Sequence, residues 1–444
     1  MQTTVAITLH TIIAEEQLSP DELVLVLRQV IHEAGMPGVL RLILELADEL
    51  WAIRACREGK VPGAPCCSKA KWEIKDRVER RLRTSAGVVR FRWRRLVCRG
   101  CGKQLVPMRR WLRLERWQSK TGELERAVVE TVAEQSYRRS TNHLKTLGVI
   151  PVPKSTAHRW VTQTGCDQLE WPEGKLSTLM VDGTGFKRRA EEANHYSNQG
   201  ELRVVMGLDT QGGAVPIGTW SNKSWEEITA ELEAKAQGQK LAEQLSCDGE
   251  PGLADRLARL VNSVQRCHWH MIHDLNTIMW FDKAPLAQRR AEQKKLAGIL
   301  GIELPKGDFE AVRPQDKQEL QERIRAADCQ LDKLVGTLQQ KGYGQAATYI
   351  ASAQKRLFNY VHFWMQTGLA APRTTSYLER LMRELGRRLK KIAFGWSESG
   401  AAQMARILIR RICSPEQWTD YWKTKLGLTG KVVVLFRGVK TVAT

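Results

Sequence analysis

The feature that most constrains this chain is a set of three strand-like runs followed by alternating helix and strand. "LSTLMVDGTGFKRR", "ELRVVMGLDT" and "GGAVPIGTWSN" lie between residues 176 and 222 and are separated by glycine-rich or polar turns. Such spacing predicts an antiparallel meander. A helix ("SWEEITAELEAKAQGQ"), a weak strand ("QLSCDG"), a helix ("GLADRLARLV") and a strand ("SVQRCHW") come next. A meander that continues into this alternation calls for a mixed α/β sheet flanked by helices. Residues 283 to about 370 are nearly all helix-like and rich in Lys, Gln and Glu, as an inserted helical domain would be.

A late helix follows the insertion, in "RTTSYLERLMRELGRRLKKIAFGWSESGAAQMARILIRRI". Leu378, Leu381, Leu385, Leu389 and Ile392 fall at helical spacing and predict a buried stripe. Glu379 sits about 100° around from Leu378, at the stripe's edge. Arg383, Arg387 and Lys390 continue along its side. Spacing alone makes Glu379 and Arg383 an ordinary helix pair.

Upstream the chain changes character twice. Residues 1 to 58 read as two helices: one from Ser19, Pro20 and Asp21 to Gly35, the next from near Pro37 to Gly59. In residues 59 to 118, "VPGAPCCSK" and "VCRGCGK" bracket the alternating run "VVRFRWRRLVC". Two cysteine knuckles joined by strands suggest a small zinc ribbon using Cys66, Cys67, Cys98 and Cys101, with Cys56 as a spare ligand. The second knuckle has the right spacing. The first does not, because Cys66 and Cys67 are adjacent; unpaired thiols or a decayed site are the alternatives. Residues 119 to 172 are helical again. There "VIPVP" turns the chain and Ser155 begins a helix carrying Lys154 at its edge and His158, Arg159 and Trp160 along it. Two helices around a turn describe a helix-turn-helix, although any helical linker would share the pattern.

Charge narrows the partner class. The chain has 69 Lys+Arg against 49 Asp+Glu, a net charge of +20. Such an excess favours a polyanion such as nucleic acid. It is concentrated between Lys69 and Lys120, where 18 basic residues face four acids and Trp72, Phe91, Trp93, Trp111 and Trp117 are interleaved. Arg92, Arg94 and Arg95 in that segment are candidate DNA contacts, with Lys154, His158 and Arg159 in the helical one. A solvated charged face over core aromatics is the bland reading. No run of about 18 apolar residues exists to span a membrane. The N-terminal stretch lacks the pattern of a secretory signal, and ten scattered cysteines suit a reducing compartment. The expectation is a cytoplasmic, nucleoid-associated protein.

Asp182 ends one apolar run and Asp248 another. Phosphodiester chemistry by two Mg²⁺ ions needs carboxylates converging on one spot. Gly183, Gly185 and Gly249 would leave room beside them for a nucleic-acid backbone.

The combination of "VDGTGFKRR", "CDGEPGLADRL…VQRCHWHMIHDL" and "RTTSYLERLMRELGRR" resembles the Mutator-type DDE transposases of bacterial insertion sequences, over about residues 176 to 410. The resemblance implies a ribonuclease-H-like core interrupted by a helical insertion. It places the three acids on Asp182, Asp248 and Glu379, with Mg²⁺ or Mn²⁺ as the metal. The family's Cys-x-x-His falls on Cys267 and His270, read as active-site support, with proton transfer by His270 a secondary role. Glu398, in "GWSESG", is a rival third acid. Lys187, Arg380, Arg383, Arg387 and Arg388 become candidate phosphate contacts near the cut.

The implied activity is cleavage at element ends and strand transfer into target DNA. The implied partners are terminal inverted repeats, target DNA and a second copy of the chain, in a homodimer or larger synaptic complex. A DNA-binding regulator and a nuclease that cuts without joining are the rivals. The expected organisation assigns 173–282 to the first part of the core, 283–370 to the insertion, 371–414 to its last helices and 415–444 to a tail.

Overall fold

A computed structural model describes residues 35–59, 66–67, 71–112, 114–147, 149–166, 174–189, 198–392 and 395–427, with a few single positions besides. The helix expected between Ser19 and Gly35 lies almost wholly outside the described residues, as does most of the tail after 427. The chain divides into two compact units, residues 1–161 with 420–444, and residues 162–419.

The first unit opens with α1 (Met36–Glu58), which ends on Gly59 at φ 65°. A hairpin of β1 (Trp72–Thr84) and β2 (Gly87–Cys98) follows, and the short β3 (Gln104–Leu105) extends it antiparallel in the order β1-β2-β3. The alternation read in β2 puts Val89, Phe91 and Trp93 into a core with Leu82 of β1, Leu44 of α1 and Met108. Helix α1 covers the stretch of β2 edge that β3 leaves open. Glu45 accepts from the Arg92 amide at 3.4 Å and Asp48 from the Arg94 amide at 2.9 Å. Unpaired edge amides would otherwise invite another strand. Of the aromatics interleaved with the basic residues, Trp72, Phe91 and Trp93 are buried in the core, whereas Trp117 is exposed.

Helix α2 (Pro107–Trp111) leads to three helices: α3 (Gly122–Glu134), α4 (Tyr137–Thr146) and α5 (Lys154–Cys166). The Thr121 side chain caps α3 and the Ser136 side chain caps α4, each accepting a first-turn amide. Helix α5 starts one residue before Ser155, because the Pro153 carbonyl accepts from the Thr156 and Ala157 amides.

The second unit is built on a five-stranded mixed sheet. Its strands are β4 (Leu176–Arg188), β5 (Asn198–Leu208), β6 (Ala214–Ser221), β7 (Ala242–Cys247) and β8 (Val261–Arg266), in the spatial order β6-β5-β4-β7-β8. Strands β4, β5 and β6 form the antiparallel meander, while β7 and β8 run parallel to β4. Helix α6 (Trp225–Ala236), with a full capping box at Ser224 and Glu227, makes the crossover from β6 to β7. Short α7 (Leu253–Leu257) links β7 to β8.

Side chains alternate across the sheet, so Leu179 and Val181 of β4 pack with Val205, Ile217 and the apolar face of α6. Met180 and Asp182 therefore point to the other face. That side carries α13 (Ser376–Gly386), which packs on β4, and α14 (Glu398–Cys413), which packs on β6. Between the sheet and these helices the chain runs through α8 (His268–Phe281), α9 (Leu286–Ile299), α10 (Pro314–Gln340), α11 (Gly344–Ala353) and α12 (Asn359–Thr367). They share a core of their own, from Met271 and Leu275 through Leu331 and Leu338 to Val361 and Trp364. The helices of the stretch expected at 283–370 share this cluster with α8, which precedes it. Leu378, Leu381, Leu385 and Leu389 of the expected stripe are buried, whereas Ile392 is only half-buried where the helix widens into π-turns over Arg387–Ile392. Helix α15 (Pro415–Leu426) ends the described chain.

Candidate functional site

In the first unit the four cysteines gather. Cys66 Sγ lies 3.4 Å from Cys101 Sγ, Cys67 Sγ lies 3.7 Å from Cys98 Sγ, and all four sulfurs are within 4.8 Å of one another. A tetrahedral zinc with bonds near 2.3 Å sets its sulfurs about 3.8 Å apart. The adjacency of Cys66 and Cys67 is no obstacle, since each reaches a different cysteine of the second knuckle. That knuckle is a tight turn: the Gly102 amide donates to the Cys98 carbonyl at 2.8 Å, with Gly102 at φ 72°. Burial pushes the Cys98 thiol up, but the Cys66 thiol and the amides of Cys101, Lys71 and Gly100 outweigh it and bring it to about 6. The Lys103 amide and the Cys66 thiol likewise lower Cys101. Amides aimed at sulfur favour thiolates, the form that zinc binds, so the donor set fits that metal. Cys56 is not part of the group. It packs from α1 into the apolar cluster with Trp72 and Leu96.

The basic candidates of this unit separate by environment. Arg92 is exposed, and so are Lys154, His158 and Arg159 on α5. Arg95 is partly used, donating through Nε to Asp76 at 2.9 Å across the hairpin. Arg94 is not available to DNA. It is 8% exposed and its guanidinium meets the buried carboxylate of Asp48 at 3.1 Å. Burial raises the Asp48 carboxyl although Arg94 pulls the other way.

In the second unit β4 and β7 pair with a constant offset: Leu179 opposite Leu245, Met180 opposite Ser246. Continued by two residues, the same register sets Asp182 level with Asp248, one step beyond the end of β7. Neighbouring strands lie about 4.8 Å apart, so the two carboxylates emerge side by side. Asp182 Oδ1 accepts from the Gly183 amide at 2.7 Å and Asp248 Oδ1 from the Glu250 amide at 3.0 Å. Burial, chiefly, and then the charges of Asp248 and Glu379 push the Asp182 carboxyl up to about 6, against the pull of the Gly183 amide and His270.

Glu379 reaches this place through a clasp between distant segments. The backbone carbonyl of Arg373 accepts from the His268 amide at 3.0 Å. Thr375 donates to Cys267 Sγ with both its amide and its hydroxyl, at 3.4 Å each. The same hydroxyl lies 3.1 Å from Glu379 Oε1. Cys267 is fully buried at the start of α8, so this small thiol fixes the first turn of α13 against the end of β8. His270, one helical turn on, completes a group in which one ligand atom each of Cys267, His270 and Glu379 lies within 4.8 Å. Burial would lower the His270 imidazole, but Cys267, to which it is hydrogen-bonded, and the charges of Asp248 and Asp274 raise it. Among the described residues the three acids do not gather that tightly. They are electrostatic neighbours, each aspartate turned to a backbone amide.

The remaining candidates divide as sharply. His268 is a core histidine, bonded through Nε2 to the Leu357 carbonyl at 2.6 Å and lowered by burial to about 4. Glu398, the rival acid, pairs with Arg188 at 2.8 Å and joins the end of β4 to α14; Asn222 also bonds it. Lys187, Arg380 and Arg383 are exposed. Arg387 pairs with Glu384 at 2.8 Å. Arg388 cannot meet a phosphate: it is fully buried, stacked 4.9 Å over Trp396.

Sequence reasoning overlooked Arg266. Its guanidinium lies so close to Gly249 that a Cβ there would meet Nη2 at 1.9 Å, and Nη2 donates to the Tyr349 hydroxyl at 2.8 Å. Gly249 therefore makes room for the Arg266 guanidinium beside the Asp248 loop, where the sequence suggested room for a nucleic-acid backbone.

No protein-family model matches the chain, and no curated protein does. One solved structure with detectable similarity is the cryoEM structure of the simian T-cell lymphotropic virus intasome in complex with PP2A regulatory subunit B56 gamma. The identity is 12%, over 37% of this chain and 66% of that one, and the TM-score is 0.15. The chain spans just under two thirds of that neighbour's length, and a likeness at this score carries no argument. No described helix is long and apolar enough to cross a membrane.

Proposed function

We propose that this chain is a DNA transposase of the Mutator type, with a ribonuclease-H-like core that cuts at element ends and transfers the freed strand into target DNA. The observation that carries the reading is the grouping of Asp182, Asp248 and Glu379, in which burial first, and then the charges of the other two acids, push the Asp182 carboxyl up to about 6. The sheet order, with an antiparallel meander on one side of β4 and parallel strands on the other, agrees with that core. So does the packed helical body between β8 and the helix of the third acid.

Neighbouring carboxylates fit a hard divalent ion such as Mg²⁺ or Mn²⁺, with Asp182, Asp248 and Glu379 as its holders. Bound there, such ions hold and polarise the attacking and leaving oxygens of the phosphodiester. The chain's own part is positioning. Strand register sets the two aspartates level, and the Cys267–Thr375 clasp holds the glutamate beside them. His270 sets a basic group against the Asp248 carboxylate. Exposed Arg380 and Arg383 would contact phosphates near the cut, while Arg92, Lys154, His158 and Arg159 would contact duplex DNA in the terminal repeats. In this reading zinc at the four cysteines anchors the base of the hairpin, and α4 with α5 acts as a helix-turn-helix. Synapsis of two ends calls for a homodimer or larger assembly.

The test incubates the intact protein with Mg²⁺ or Mn²⁺, DNA bearing the element's own ends and a supercoiled target. Nicks at the ends together with joined products are expected. Tight, salt-steep binding without any cut would overturn the reading in favour of a regulator. Cutting without joining would leave a nuclease.

A further inference from the structure

Trp269 stands on α8 between His268, buried in the core, and His270, beside the acids. It is 46% exposed. An indole half in water usually lies loosely against its helix; this one is braced on two sides. The His273 ring stacks under it at 4.8 Å, with 11° between the planes, and His270 meets it edge-on, also at 4.8 Å. His273 is itself held, since Nδ1 lies 3.0 Å from Asp274 Oδ1, and Asp274 also accepts from the Tyr349 hydroxyl at 3.4 Å. An aspartate lies beside an imidazole, the imidazole stacks on the indole, and the part-exposed indole is next in the chain to His270, whose imidazole the charge of Asp248 raises.

A rigid, pre-set aromatic face costs little entropy when a second planar ring lands on it. Because His273 occupies one face of the indole, the ligand stacks on the other. The chain's net charge of +20 selects a polyanion, and the planar rings a polyanion offers are nucleobases. Within a duplex the base faces are covered by their neighbours, so only an unpaired base can present one.

We infer that Trp269, supported by His273, is a stacking site for one unpaired nucleobase of the DNA strand that enters the acid cluster. The inference rests on the reading of that cluster as a DNA-cutting site and adds its substrate form: the strand is locally unpaired beside the scissile phosphate. Trp269 belongs to binding here. It holds the strand and takes no part in proton or phosphoryl transfer.

The experiment uses the intact protein without divalent cation and a duplex carrying a short single-stranded overhang with 2-aminopurine, set at successive positions. Stacking quenches its fluorescence. The wild type should quench at one or two positions only. Trp269→Ala should abolish that quenching and weaken overhang binding about tenfold, with affinity for blunt duplex unchanged. Trp269→Phe should restore most of it, and His273→Ala should give a partial loss. Equal quenching by wild type and Trp269→Ala, or none by wild type at any position, would overturn the stacking site. If wild type still binds blunt duplex and cuts it when Mg²⁺ is added, the transposase reading survives that outcome. A wild type that neither binds nor cuts DNA removes both.

Discussion

Asp182→Asn should make the protein more stable at pH 7 when no divalent cation is present. The Asp182 carboxyl titrates at about 6 in the folded chain, against an ordinary 3.8. The folded state therefore binds this proton more tightly than the unfolded state does. The contribution of this carboxyl to stability is most favourable below about pH 4, falls as pH rises from 4 to 6, and is the whole penalty at pH 7. Each pH unit of that gap corresponds to about 1.4 kcal/mol, which makes the penalty about 3 kcal/mol. Partial hydration of the half-buried carboxylate makes this an upper figure. Asparagine fits the same space, can still accept the Gly183 amide through its side-chain oxygen, and cannot ionise. The variant should melt several degrees above wild type at pH 7 and alongside it at pH 4. Added Mg²⁺ should reverse the order, because the ion stabilises only a chain that binds it. Calorimetry at pH 4, 5 and 7, with and without Mg²⁺, reads all of this. A variant no more stable than wild type at pH 7 without metal would refute the argument that burial and neighbouring charge penalise the Asp182 carboxylate.

Four other outcomes follow from the geometry. Purified protein should hold one zinc through its four cysteines; a strong zinc chelator or Cys101→Ser should release it and lower the melting temperature of the first unit, read by metal analysis with calorimetry. Asp48→Asn should cost about 3 kcal/mol or less in urea unfolding, because it leaves the buried Arg94 guanidinium with only the exposed Glu49 carboxylate at 3.4 Å. Arg92→Ala should leave stability alone and lower the salt slope of DNA binding by about one. Gly249→Ala should drive its methyl group into Arg266, costing about 1–3 kcal/mol in urea unfolding and disordering the Asp248 loop, with a larger loss of cutting than of duplex affinity.

Much of the second unit was legible because its strands announce themselves. "LMVD" and "QLSCD" each end an apolar run on an aspartate, which the sequence shows, whereas the register that levels Asp182 with Asp248 comes from the pairing of β4 with β7. Strand β1 was harder. "WEIKDRVERRLRT" is mostly charged, and it is a strand because it pairs along nearly its whole length with β2. The roles of Arg94 and Arg388 could not be read from charge, since each depends on a tertiary partner, Asp48 and Trp396 respectively. Glu379 shows the same limit. Helix spacing offered it an ordinary partner in Arg383, and its place beside the aspartates is made by a contact between Thr375 and Cys267, 108 residues apart. The cysteines were the reverse case: their sequence spacing argued against a site that their side chains nonetheless form.

The most direct measurement compares wild type with Asp182→Asn, Asp248→Asn and Glu379→Gln for binding, cutting and joining of DNA with the element's ends in Mg²⁺ or Mn²⁺. The account predicts that all three variants bind that DNA like wild type and neither cut nor join it. Retained cutting by Glu379→Gln would contradict the three-acid site.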